Sequence, residues 1–325
     1  MSDIKWAVLG TGVIANEMAV ALKKIGRNIY AVGNRTYSKA VDFAKKYGIE
    51  KVYDDYNDMF TDSDVDVIYI TTPHNTHIEF MKKAIRNGKH ILVEKSITLN
   101  SRELNEAMEL AALHNVVIGE AMTIYHMPVY KKLKEILDSG RLGKVNLITM
   151  NFGSFKEYNM SNRFFNRNLA GGAMLDIGVY ALSFIRYFMT EKPDKLLSQL
   201  KKAPTGVDEQ AGLLLMNNDG QMATVMLSLH SKQPKRGMVS CEKGYIEIME
   251  YPRAFEAVVT YTESGEKEWV KEGDTRDALI YELLDMEKAI NGDKKCMLLD
   301  YTKDVMDMMT EFRNSWNFKY PEEEL

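Results

Sequence analysis

Short apolar runs recur along the first third of the chain, each followed by a polar turn and then by apolar positions at helical spacing. Residues 4–9 (Ile-Lys-Trp-Ala-Val-Leu) read as a strand. Behind the turn that follows, Met18, Ala19, Ala21, Leu22 and Ile25 mark one face of a helix. Residues 28–34 predict a second strand and 38–47 a helix ending before Gly48. Val65 to Ile70 predicts a buried strand, and 76–87 a helix stopped by Gly88. Another strand lies at 90–93, a helix at 101–114 with Asn100 or Ser101 as its N-cap, and a last strand at 116–118. Strands alternating with helices at this spacing predict a parallel sheet, and continuous Val/Ile runs suit strands covered on both faces.

After residue 121 the texture changes. A helix is predicted at 128–138, ended by Gly140, and a long one from Gly172 to Phe188. Period-2 strands follow at 144–152, 195–201, 209–216, 221–230, 244–249 and 255–261, with Asn217-Asn218-Asp219-Gly220 as a hairpin signal. Helices near 276–291 and 300–314 finish the pattern, and the tail 320–325 reads as loose. The expected division is a dinucleotide-binding domain over 1–121 and a substrate-binding and dimerisation domain over 122–325. In the strand 221–230, Ala223, Val225, Leu227 and Leu229 form one apolar face. The opposite face, Met222, Thr224, Met226, Ser228 and His230, is also poorly polar. A second copy covering that face predicts a homodimer, or a dimer of dimers.

Composition narrows the class. The 325 residues are 45% apolar and 27% charged, with net charge -4, so nothing favours nucleic acid or an anionic membrane as partner. Cys241 and Cys296 stand alone and offer neither a disulfide framework nor a zinc pattern. No leader precedes the first strand and no apolar run approaches a spanning length of about 20 residues, so a cytoplasmic location is expected.

The turn after the first strand is Gly10-Thr11-Gly12-Val13-Ile14-Ala15. The first glycine permits the tight turn, the second lets the backbone approach a pyrophosphate, and Ala15 lets the helix pack close to the strand. After the second strand stand Asn34, Arg35, Thr36 and Ser38, with no carboxylate. An acidic residue there would bind the ribose 2′-hydroxyl of NAD, whereas Arg35 suits a 2′-phosphate. NADP is therefore favoured over NAD. Thr71, Thr72, Pro73, Asn75 and His77 follow the strand ending at Ile70, and Glu94, Lys95 and Ser96 follow the one ending at Val93. Both segments lie at carboxyl ends of predicted parallel strands, where such sheets bind ligands. In the second domain, Asp176 and Tyr180 are spaced i and i+4, on one helical face. His74 and His77 lack a third ligand, so no metal site is expected.

These segments together resemble the glucose–fructose oxidoreductase/inositol dehydrogenase (Gfo/Idh/MocA) family over essentially the whole chain, most of all its NADP-dependent dihydrodiol and aldose 1-dehydrogenase branch. The matching motifs run in order: Gly10 to Ala15, Arg35, Thr72 to His77, Glu94 to Ser96, Glu120 to Met122 and Gly171 to Tyr180. The resemblance implies an N-terminal Rossmann parallel sheet and a C-terminal α/β domain with a mostly antiparallel open sheet. It implies that Lys95, Asp176 and Tyr180 form the catalytic cluster, with Glu94, Lys95 and Glu120 near the nicotinamide. The implied reaction is reversible hydride transfer between NADP and a sugar, polyol or cyclic diol. Two departures stand out. Ser96 replaces the family's proline, which predicts altered geometry around Lys95. Thr123 and Tyr125 replace an aromatic and an arginine, at positions expected to border the substrate.

Alcohol oxidation needs a base for the hydroxyl proton. A phenol and an ammonium are both poor bases at neutral pH, so Lys95 beside Tyr180 would lower the tyrosine's pKa, with Asp176 as orienter. The residues leave open whether Tyr180 or Lys95 transfers the proton. Arg163 fits either substrate contact or a structural role. The rival class is a nucleotide-binding sensor of the same fold without turnover.

Overall fold

A computed structural model describes residues 4–324 and divides them into two compact units: residues 4–121 with Leu279–Leu299, and Met122–Ala278 with 300–324. The expected single cut therefore fails for 279–299, which groups with the first unit. Long-range chemistry explains why. Glu287 accepts from Trp6 Nε1 at 2.8 Å and pairs with Arg27 Nη1 at 2.5 Å. Met297 packs so closely on Gly119 that no Cβ would fit there.

In the first unit six strands, Trp6–Leu9 (β1), Ala31–Gly33 (β2), Lys51–Tyr53 (β3), Val67–Ile70 (β4), His90–Glu94 (β5) and Ile118–Ala121 (β6), form a parallel sheet. Its order is β3-β2-β1-β4-β5-β6, the doubly wound arrangement whose ligands lie beyond the strands' carboxyl ends. β1 and β4 are buried along their whole length, as continuous apolar runs require. Helix Val13–Lys24 buries Ala15, Met18, Ala19, Ala21 and Leu22.

In the second unit eight strands form one sheet: Val145–Gly153 (β7), Lys195–Lys202 (β8), Asp208–Met216 (β9), Met222–Ser228 (β10), Arg236–Cys241 (β11), Gly244–Met249 (β12), Glu256–Tyr261 (β13) and Lys267–Lys271 (β14). The order is β14-β13-β12-β11-β7-β10-β9-β8, antiparallel except for the β7–β10 pair. Ile148, Met150, Val225, Leu227, Val239, Ile246 and Ile248 fill one face of this sheet and are fully buried. β3, β11 and β14 escape the sequence pattern. β14 reads Lys-Glu-Trp-Val-Lys, and charged residues on an edge strand mask its period.

Three further expectations change. The predicted long helix begins as a π-helical turn, Met174–Gly178, before Val179–Phe188 continues as α-helix. The apolar stretch Arg167–Phe188 does reach spanning length, but 78% of its apolar window is buried inside the protein, as a core helix is. The tail is anchored through residue 324: Tyr320 is fully buried and its hydroxyl donates to Gly171 O at 2.7 Å. Leu325 lies outside the described residues.

Candidate active site

Candidate residues occur in both units. In the first, Gly10 adopts φ +110 and donates its N–H to Gly33 O at 2.8 Å. A Cβ there would stand 2.6 Å from Thr71 Oγ1, so Gly10 is a glycine for the fold's sake. Gly12 differs: a Cβ would meet nothing within 4 Å. Gly12 is also the N-cap of helix Val13–Lys24, which has no side-chain cap and no acidic residue in its first turn. Val13 is 79% exposed at this helix start, with Thr11 and Ile14 half-buried beside it. Uncapped N–H groups and open space above a glycine are the setting a phosphate group needs, so these residues fit the expected dinucleotide.

After β2, Arg35 and Ser38 are exposed and Asn34 donates from Nδ2 to Thr36 O at 3.0 Å. Helix Tyr37–Tyr47 starts here, again with neither a side-chain cap nor an acidic first turn. Thr71 Oγ1 donates to Leu9 O at 3.0 Å, and Thr72, Pro73 and Asn75 are partly or fully exposed beyond β4.

His77, expected as a cofactor contact, lies beneath the surface. It is fully buried, with Nε2 2.8 Å from Thr72 O and Nδ1 3.0 Å from Ser96 O, and burial lowers its pKa. It ties the loop after β4 to the loop after β5. His74 Nε2 lies 2.9 Å from Lys95 O and joins the same tie.

Glu94 accepts from the Tyr69 hydroxyl, and both Glu94 and Lys95 are half-buried at the end of β5. The Lys95–Ser96 peptide is cis. Glu120 is 1% exposed and accepts the Ile97 N–H at 3.0 Å, which supports the loop carrying Lys95 from beneath.

The second unit explains the glycine-rich motif. A Cβ on Gly171 would lie 2.8 Å from the backbone oxygens of Arg163 and Phe164, and one on Gly178 would lie 3.0 Å from Leu227 Cδ1. The backbone is thus pressed against its neighbours on both sides. Throughout residues 171–185 every position is buried except Asp176 and Tyr180. The two side chains share the one open face of this segment. The Tyr180 ring packs on Phe152 at 6.2 Å. Arg163, which the sequence left between two roles, pairs with Asp176 (Nη2 to Oδ1, 3.7 Å) and lies over the Phe164 ring at 4.5 Å. Lys156 stands over the same ring at 4.3 Å. Sequence reasoning singled out neither Lys156 nor Phe164.

Thr123 and Tyr125, expected to border a substrate, take their contacts from the protein. Both are buried inside the second unit. Thr123 donates to Pro252 O, and Tyr125 packs against Tyr187 and Tyr301. Among the described residues, no group of three or more His, Cys, Asp or Glu side chains is placed to hold a metal ion.

Residues 4–122 match the family model described as "Oxidoreductase family, NAD-binding Rossmann fold", and residues 130–247 match "GFO/IDH/MocA C-terminal domain". The chain is 32% identical over 248 residues to a trans-1,2-dihydrobenzene-1,2-diol dehydrogenase of Xenopus laevis, covering 75% of this chain and 74% of that protein. The Mus musculus protein of the same name is 30% identical over 262 residues, covering 79% and 78%. Among solved structures, a levoglucosan dehydrogenase in complex with NADH and levoglucosan superposes with a TM-score of 0.84 at 18% identity, covering 96% of this chain and 97% of that one. KijD10, a 3-ketoreductase from Actinomadura kijaniata in complex with NADP and TDP-benzene, gives 0.83 at 20% identity with the same coverage. At these identities the structures establish the fold.

Proposed function

The chain belongs to the Gfo/Idh/MocA family of oxidoreductases, and from that membership we propose that it is an NADP-dependent dehydrogenase or reductase acting on a sugar, polyol or cyclic diol. The observation that carries the chemistry is the pairing of Asp176 with Tyr180 as the two unburied positions of an otherwise buried segment. A carboxylate and a phenol brought to one open face suit orientation and proton transfer.

Gly10, Gly12 and the bare start of helix Val13–Lys24 would hold the pyrophosphate. Arg35, with Asn34 and Ser38, would hold the 2′-phosphate at the start of helix Tyr37–Tyr47, where no carboxylate opposes it. The nicotinamide, when bound, supplies hydride exchange with a substrate carbon. The protein's part is to place the hydroxyl and move its proton. Tyr180 or Lys95 takes that proton, Asp176 orients the acceptor, and Arg163 gives Asp176 a counter-charge. Absorbance at the reduced-nicotinamide band, read across a panel of aldoses, inositols and cyclic diols, tests the reading. Turnover with wild type and a loss of orders of magnitude in Lys95→Met, with NADP affinity retained, is the expected outcome. Tight NADP binding with silence across the panel would instead favour a nucleotide sensor.

We further propose a homodimer through the open sheet face, supported by Met226 of the strand the sequence singled out and by leucines on its neighbours. Leu197 is 68% exposed and Met226 55%, with Leu214 and Leu147 also exposed. Cross-strand pairing sets Leu197 beside Leu214, Leu214 beside Thr224, and Leu147 beside Met222, so these residues form one continuous surface. A continuous apolar face of this kind marks an interaction surface.

A further inference from the structure

Asp208, the first residue of β9, is 1% exposed and belongs to none of the motifs above. Its Oδ2 accepts the Met174 N–H at 2.5 Å, and the Ala173 N–H also stabilises the carboxylate. Its Oδ1 has no hydrogen-bond partner among the described residues. Gly172, at φ +125, lies against that oxygen so closely that a Cβ would overlap it. Tyr320 closes the other side, its hydroxyl on Gly171 O. The carboxylate therefore sits at the head of the segment on which Asp176 is the third residue and Tyr180 the seventh, counting from Met174.

We propose that Asp208 is a positioning residue for the reaction: it clamps the start of the π-helical turn and so fixes where Asp176 and Tyr180 stand. A helix start carries partial positive charge, and an anion there both satisfies its N–H groups and resists their movement. A π turn is rarer and less regular than an α turn, and this one has no side-chain cap of its own. An external clamp supplies what the segment lacks. The device has a cost. Burial pushes the Asp208 carboxyl up to about 7, against the Met174, Asp208 and Ala173 N–H groups and Arg313, which favour the ionised form. Arg313 compensates only in part, because its guanidinium is engaged by Glu323 at 2.6 and 2.9 Å. The other groups around it are the Tyr320 phenol, with Glu322 and Glu323 nearby; the next residue on the strand, Glu209, takes Lys201 and Tyr158 as partners. Asp208 is thus the group that gains or loses a proton near neutrality, and its ionisation there charges a carboxylate that burial disfavours.

The kinetic arm of the test rests on the oxidoreductase reading; the exchange arm does not. Asp208→Asn keeps the shape and one acceptor oxygen but removes the charge. Its kcat is expected to fall about tenfold or more at pH 8, with KM and NADP affinity within about threefold of wild type. Wild-type kcat should change in a step as Asp208 titrates near neutrality, and the variant's should lack that step. Unchanged kcat and an unchanged pH profile in the variant would overturn the proposal. Should the variant fail to fold, hydrogen exchange of the wild-type peptide covering 171–180 decides. Protection, corrected for intrinsic rates, must fall as pH rises from about 4 to about 7, because the closed segment holds the Asp208 proton more tightly than an opened one, and flat protection refutes the clamp even if no substrate is turned over.

Discussion

Alanine at Gly10 and alanine at Gly12 should do opposite things, although only Thr11 separates them. At Gly10 the backbone sits at φ +110, and a new Cβ would stand 2.6 Å from Thr71 Oγ1 and 3.2 Å from Thr71 O. Backbone strain of that kind costs about 1–3 kcal/mol. Turning Thr71 aside breaks its hydroxyl bond to Leu9 O, worth about 1 kcal/mol more. The expected loss is about 2–4 kcal/mol, a large share of the roughly 5–15 kcal/mol of a typical fold. At Gly12 the backbone is extended (φ -73, ψ -167) and the space is open. Alanine there should leave stability within about 1 kcal/mol of wild type, because the gain through the unfolded chain is offset by the preference of an N-cap for glycine over alanine. Its methyl would occupy the space the pyrophosphate needs, so NADP affinity should fall about tenfold or more, equivalent to about 1.4 kcal/mol. Urea denaturation of the apoprotein and a fluorescence titration with NADPH read the two effects separately. Wild-type affinity in Gly12→Ala would refute the placement of the cofactor at this turn. Wild-type stability in Gly10→Ala would refute the steric account of Gly10.

Arg35→Asp should reverse the cofactor preference, weakening NADP relative to NAD in the same titration; an unchanged ratio removes Arg35 from the 2′-phosphate site. Met226→Lys should turn a dimer into a monomer in sedimentation experiments while the helical and sheet signals of circular dichroism persist, and a dimer that survives places the interface elsewhere. Stability should fall as pH rises from about 4 to about 7 by the share that Asp208 contributes, because the folded state holds its proton more tightly than the unfolded chain. That share is complete below the unfolded carboxyl pKa and gone above about 7. The difference between wild-type and Asp208→Asn unfolding curves across this window isolates it, and parallel curves would count against the buried carboxylate.

Much of the candidate site could be seen in the chain because glycine and charge are position-specific signals. Gly10, Gly12 and Arg35 announce themselves through the strand in front and the helix behind, all within one local unit. The glycines at 172 and 178 are just as visible, but their reasons lie in residues far along the chain: Asp208, Tyr320 and Leu227. His77 and Glu120 were readable as motif positions, whereas their burial and their hydrogen bonds to the loop around Lys95 were not. Nothing in a one-dimensional pattern distinguishes a side chain that meets a cofactor from one that supports the loop that does. The positions of Thr123 and Tyr125 in a motif were likewise readable, whereas their burial against Tyr187, Pro252 and Tyr301 was not.

By itself the sequence determined the strand–helix alternation of the first unit, the hairpin at 217–220, and the dinucleotide turn, because hydrophobic period and turn chemistry act over a few residues. The tertiary structure alone decided that 279–299 returns to the first unit through Glu287 and Met297. It decided that a π turn rather than a plain helix carries Asp176, and that a carboxylate from β9 caps it. Those outcomes depend on contacts between segments tens to hundreds of residues apart, where the cost of burying a charge or fitting a Cβ is set by whatever the fold brings alongside.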